Sequence, residues 1–120
     1  MQRFLTIAKA LSDESRVRAL LSLRDGELCL CQVIEVLGLA PSTVSKHMDV
    51  LLQSGLVERR KEGRWHYFRL SNADSPPVVR HAIEWVLDSL ESEPLAIRDS
   101  SKVCGVRTAD PRNLCSCYKR

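Results

Sequence analysis

A chain of 120 residues with 44% hydrophobic content can build one compact domain and leaves little room for a second with its own core. Aromatic residues supply only 5% of it, so the core must come from Leu, Val, Ile and Ala, which favours packed helices. The net charge of +3 is unevenly spread: six basic and six acidic groups cancel over residues 1–56, residues 57–70 carry five basic against two acidic, residues 71–93 are acidic, and residues 94–120 carry six basic against two acidic.

The first apolar run is short and interrupted by Lys9, Asp13 and Glu14, which excludes a signal peptide or membrane span there and predicts a cytoplasmic protein with no membrane partner. In that reducing compartment the five cysteines point to metal binding or thiol redox chemistry rather than structural disulfides. The sequence has no glycine-rich phosphate loop, no Gly-x-Ser-x-Gly elbow and no carboxylate pair suited to acid–base work, so no enzyme is expected.

In chain order, Phe4, Leu5, Ala8 and Leu11 recur at helical spacing, and a second helix is predicted from the N-cap Asp13 with Val17, Leu20, Leu21 and Leu23 inward, ended by Gly26. A third runs through LCLCQVIEVL, burying Leu30, Val33, Ile34 and Leu37, and stops at Gly38. Pro41 opens a fourth, whose Val44, Met48, Leu51 and Leu52 form one apolar stripe. Two helices joined by so short a turn make a helix-turn-helix. The opposite face of the fourth helix carries Ser42, Thr43, Ser45, Lys46, His47 and Asp49, of which the first five are candidate base or phosphate contacts.

After Gly55 comes LVERRKEGRWHYFRL, where Glu62-Gly63 separates two β-prone runs and predicts a hairpin. Arg59, Arg60, Lys61 and Arg64 crowd its tip and are candidate phosphate contacts of a wing, although a basic hairpin can also be a merely solvated one. Pro76-Pro77 starts a last helix whose Val79, Ile83, Val86 and Leu90 form a stripe for a dimer partner to cover. The expected division is a winged-helix DNA-binding and dimerisation domain over 1–93 and a flexible, cysteine-bearing tail over 94–120. The fold class is thus mainly α with a small β-hairpin, a homodimeric winged helix-turn-helix whose partner is double-stranded operator DNA.

Cys29 and Cys31 open the third helix, and thiolates suit thiophilic ions. On a regular helix residues i and i+2 diverge, so both sulfurs reach one ion only if Cys29 lies at the edge of the first turn or that turn distorts. A pair of small buried hydrophobes would leave the same Cys-x-Cys pattern. Cys104, Cys115 and Cys117 in the tail could complete three- or four-thiolate coordination, or be inert. His81 with Glu84 offers a weaker zinc pair at a dimer interface.

Residues 7–71 resemble the ArsR/SmtB family of metal-responsive winged-helix repressors, through ALSDESRVRALLSL, ELCLCQVIEVLGLAPSTVSKHMDVL and SGLVERRKEGRWHYFRLS. The ELCLCQ box looks like that of the arsenic-responsive branch. The resemblance implies a homodimer joined by its first and last helices, autoregulation of a resistance operon, and release from DNA when As(III) or Sb(III) binds Cys29 and Cys31. Nothing further is required for DNA binding. The alternatives are a Cd(II), Pb(II) or Zn(II) sensor that adds the tail cysteines, a metal-free thiol-redox switch, and a metal buffer without an operator. Three departures stand out: the third cysteine of the commonest arsenic box is replaced by Ile34, Ala40 replaces the usual hydroxyl-bearing N-cap of the recognition helix, and the long cysteine-bearing tail is unusual.

Overall fold

The computed structural model describes residues 1–108. Helix α1 (Gln2–Ala10) is followed by α2 (Glu14–Ser22), a two-residue strand β1 (Leu28–Cys29), α3 (Leu30–Leu37) and α4 (Pro41–Ser54). Strands β2 (Val57–Glu62) and β3 (Trp65–Leu70) then lead to α5 (Pro77–Leu90) and α6 (Pro94–Thr108). No helix among the described residues is long and apolar enough to cross a membrane.

Local chemistry accounts for most boundaries. The Asp13 side chain accepts a hydrogen bond from Arg16 N at 3.1 Å and caps α2. Gly38 ends α3 in the left-handed conformation, φ 68°, which costs a residue without Cβ nothing. Pro41 sits in the first turn of α4, where its missing N–H would have had no helical partner. The hairpin pairs Glu62 with Trp65, and the positive φ that such a two-residue loop demands at its first position falls on Gly63.

The core gathers around α3. Of its eight residues only Glu35 is exposed, and Val33, Ile34 and Val36 are inaccessible to solvent. Leu20 and Leu23 from the α2 segment, Met48 and Leu51 from α4, Leu28 and Phe68 from the strands, and Val79 from α5 are among the side chains packed around it. Each such side chain contributes about 1.5–3 kcal/mol by leaving water.

The structure departs from the sequence expectations in three places. The hairpin is part of a three-stranded antiparallel sheet in the order β1-β3-β2, because Leu28 and Cys29 pair with Phe68 and Tyr67. The inward face of α1 is Ile7 and Ala10, while Phe4 and Leu5 are 60% and 52% exposed. Phe4 instead borders an open apolar groove of about 420 Å³ shared with Val78, Ala82 and Trp85 of α5, and Trp85 is itself 68% exposed.

The third departure corrects the expected tail. Residues 94–108 form α6, which buries Ala96, Asp99, Val103 and Val106 against α2 and α3, so the folded unit extends to at least Thr108. The Asp99 carboxylate accepts from Arg18 Nε at 2.7 Å and Nη2 at 3.1 Å, and both side chains are largely out of water. Gln32 of α3 donates to Val106 O at 3.2 Å, and Arg107 donates to Gly26 O and Glu27 O. Cys115 and Cys117 lie outside the described residues.

Removing one member of a buried ion pair strands the other. Asp99→Ala should therefore lower the unfolding free energy by about 3 kcal/mol. Replacing both Arg18 and Asp99 with apolar residues of similar volume should recover most of that loss in urea denaturation.

Candidate thiol site and nucleic-acid interface

Cys29 closes β1 and is at the same time the N-cap of α3, with φ −79° and ψ 160°. Its backbone is extended, so the divergence of i and i+2 on a regular helix does not apply to it. Gln32, three residues on, accepts a hydrogen bond from Cys29 N at 2.8 Å and pins this junction. Cys31 occupies the second helical position, and both cysteines are buried, at 1% and 6% exposure. Cys29 is a free thiol, whereas Cys31 is disulfide-bonded, a departure from the expectation that no cysteine would be, so Cys31 can ligate an ion only after reduction.

Cys104 is a free, exposed thiol on α6, while the residues of α6 that pack inward are Ala96, Asp99, Val103 and Val106. Among the described residues no cluster of three or more His, Cys, Asp or Glu side chains could hold a metal ion. The structure therefore sets one free buried thiol, Cys29, close in the chain to the disulfide-bonded Cys31, and His81 and Glu84 are both exposed on α5.

The polar face of α4 lies next in the chain. Ser42, Thr43 and Lys46 are exposed, and Ser45 is half-buried. The Ala40 N-cap brings no side chain to the free N–H groups of the first turn. His47 differs from its neighbours: it is turned toward α2, with Nδ1 3.5 Å from Arg16 Nη1 and Nε2 3.9 Å from the capping Asp13 carboxylate. Its side chain is only 17% exposed, so it tethers α4 to α2 rather than standing free on the polar face.

The hairpin tip divides in the same way. Arg59, Lys61 and Arg64 are exposed, and no ion pair engages them among the described residues. Arg60 is committed elsewhere. Its guanidinium contacts Glu27 at 2.7 and 3.2 Å and Glu62 at 2.8 Å, and it lies over the Tyr67 ring at 4.5 Å from the centroid. The hydrogen bond from Arg60 holds the Glu27 carboxyl below its ordinary pKa. Burial raises the Tyr67 hydroxyl, and the negative charge available to Cys29 adds to that shift.

Glu27 and Tyr67 were not singled out from the sequence. The available signal was that Glu27 lies two residues before Cys29, a same-face relation on a strand, but a strand of two residues leaves no alternation to detect.

The family profile described as "Bacterial regulatory protein, arsR family" matches residues 13–59. The chain is similar to the "Arsenic resistance transcriptional regulator ArsR1" of Pseudomonas putida, at 34% identity over 74% of this chain and 72% of that protein. It is similar to the "Cadmium resistance transcriptional regulatory protein CadC homolog" of Staphylococcus aureus, at 37% identity over 63% of this chain and 64% of that protein. Among solved structures it is similar to the "homodimeric winged helix-turn-helix DNA-binding domain" of Mb0332 from Mycobacterium bovis, with a TM-score of 0.62 and 28% identity over 77% of this chain and 83% of that one. With the α3-turn-α4 unit followed directly by the β2-β3 wing, this chain belongs to the arsR family of bacterial regulatory proteins, as a winged helix-turn-helix transcriptional regulator.

Proposed function

We propose that this chain is a repressor that binds operator DNA as a homodimer and releases it when As(III) or Sb(III) is captured by the reduced thiols of Cys29 and Cys31. The observation that carries the reading is the position of Cys29. It lies at the strand-to-helix junction with extended backbone, two residues before Cys31, at the start of the helix that leads into the DNA-facing α4. Each thiol that displaces a hydroxyl from As(OH)3 forms one As–S bond and releases one water. Two thiols leave one hydroxyl on arsenic for a third donor to displace, with no oxidation or reduction.

DNA binding falls to α4 and the wing. In the dimer the two α4 helices enter successive major grooves about 34 Å apart. Ser42, Thr43, Ser45 and Lys46 face base edges or phosphates, and Arg59, Lys61 and Arg64 meet the backbone. The apolar groove between α1 and α5, with the exposed Phe4 and Trp85 at its rim, supports the dimer contact. The solved relative from Mycobacterium bovis is described as homodimeric.

A softer divalent ion is the second reading, supported by the cadmium-resistance relative. Cd(II), Pb(II) or Zn(II) would need more donors than the described residues gather, so this reading requires Cys115 and Cys117.

Cys29→Ser and Cys31→Ser should each abolish arsenite-induced release while leaving operator affinity unchanged, as measured by fluorescence anisotropy with reduced protein. Retained release in either variant overturns the assignment. The contribution of the terminal cysteines is tested by ending the chain after Thr108, which keeps α6 and its buried ion pair. A weaker arsenite response would show that they complete the coordination. Ala substitution of Arg59, Lys61 or Arg64 should each lower the salt slope of operator binding by about 0.9. An unchanged slope in all three variants removes the wing from the interface.

A further inference from the structure

The pairing of the sheet places the thiol site and the wing in a single cross-strand row. Cys29 of β1 lies opposite Tyr67 of β3, and Tyr67 lies opposite Arg60 of β2. Directly opposed residues in antiparallel strands present their side chains on the same face, about 4.5–5.5 Å apart at Cβ. Glu27, two residues before Cys29, belongs to that face too, and its carboxylate spans the sheet to grip Arg60 through two nitrogens. Arg60 in turn covers the Tyr67 ring and holds Glu62 at the end of β2. The segment that carries the first thiol is thereby tied to the wing, near its tip, by one backbone ladder and one bidentate ion pair.

We propose that Glu27 and Arg60 are positioning residues that transmit ion capture from Cys29 to the wing, and that Arg60 is not a phosphate contact. This rests on the reading of Cys29 and Cys31 as the arsenite site. Drawing the Cys29 sulfur to an ion shared with Cys31, once that cysteine is reduced, displaces β1, whose two residues pair in the sheet with β3 alone among the described residues. Glu27 moves with β1, its grip on Arg60 opens, and the wing loses the orientation that sets Arg59, Lys61 and Arg64 on the backbone. The tie is exposed to solvent and weak in isolation, which suits an element that must give way when an ion binds.

The test compares wild type, Glu27→Gln, Arg60→Gln, the double variant and, as a control at the wing, Arg59→Gln. Operator affinity is measured with and without arsenite, alongside protection of Cys29 and Cys31 from alkylation by arsenite in the DNA-free protein. Wild type should lose roughly 5- to 150-fold in affinity on binding arsenite. Glu27→Gln and Arg60→Gln should each give a factor about threefold smaller or more. The double variant should match the singles, because both remove the same tie, and thiol protection should remain at the wild-type level in all of them. Arg59→Gln should lower affinity and salt slope while keeping the wild-type arsenite factor.

In the DNA-free protein the Arg60 side-chain Nε resonance should shift on arsenite addition, and the shift should vanish in Glu27→Gln. If arsenite protects both thiols but leaves that resonance unmoved, or if Glu27→Gln keeps the full arsenite factor, the coupling is overturned and the site reading survives. If arsenite protects neither thiol in wild type, the site reading falls and this proposal with it.

Discussion

The burial of α3 is the constraint on which the rest of the molecule depends. Seven of its eight residues are out of water, and α2, α4, α6 and the sheet all pack against it. So short a helix is not stable by itself, since nucleation costs more than two turns of hydrogen bonds return. It exists because its neighbours enclose it. Gln32, the polar side chain buried in this helix, satisfies two of those neighbours at once, accepting from Cys29 N and donating to Val106 O. A change at the start of α3 is therefore felt by β1 and α6 together, and, across the short turn at Gly38, by α4.

On the proposed reading, that arrangement would let a thiol site in a hydrophobic core act on a distant surface. Cysteine packs as a small apolar side chain in the ion-free state and becomes a ligand only when its proton leaves. Its backbone has fewer close-packed aliphatic neighbours to disturb at Cys29, where a two-residue strand gives way to a helix, than within α3. A switch placed at the junction can move without unfolding the core. The buried Arg18–Asp99 pair holds α6 to α2, away from that junction.

Much of this was legible in the residues themselves. Asp13, Gly38, Pro41 and Gly55 mark helix ends by rules that act within one turn, and the alternating run around Trp65 and Tyr67 marks the hairpin. What escaped depends on partners far away in the chain. The inward face of α6 is Ala96, Asp99, Val103 and Val106, a helical spacing of three, four and three that disappears if Asp99 is read as a surface residue. Its burial follows from Arg18, 81 residues earlier. Arg60 looked equivalent to Arg59 and Lys61 because its partner Glu27 stands 33 residues away. His47 follows the same logic: the polar stripe of α4 is real, but one member of it is turned onto α2 by Asp13 and Arg16. Phe4 and Leu5 kept their helical period yet stayed exposed, because the period names the apolar residues and not the surface that covers them.

The central claim, that capture at Cys29 and Cys31 is what releases DNA, is tested most directly by titrating reduced protein with arsenite on a labelled operator while counting free thiols in the same samples. The account predicts that release and thiol consumption share one midpoint, and that peptide mapping after alkylation finds Cys29 and Cys31 protected at saturation. Release that is complete while both cysteines remain open to alkylation, or full protection of both with the operator still bound, would contradict it.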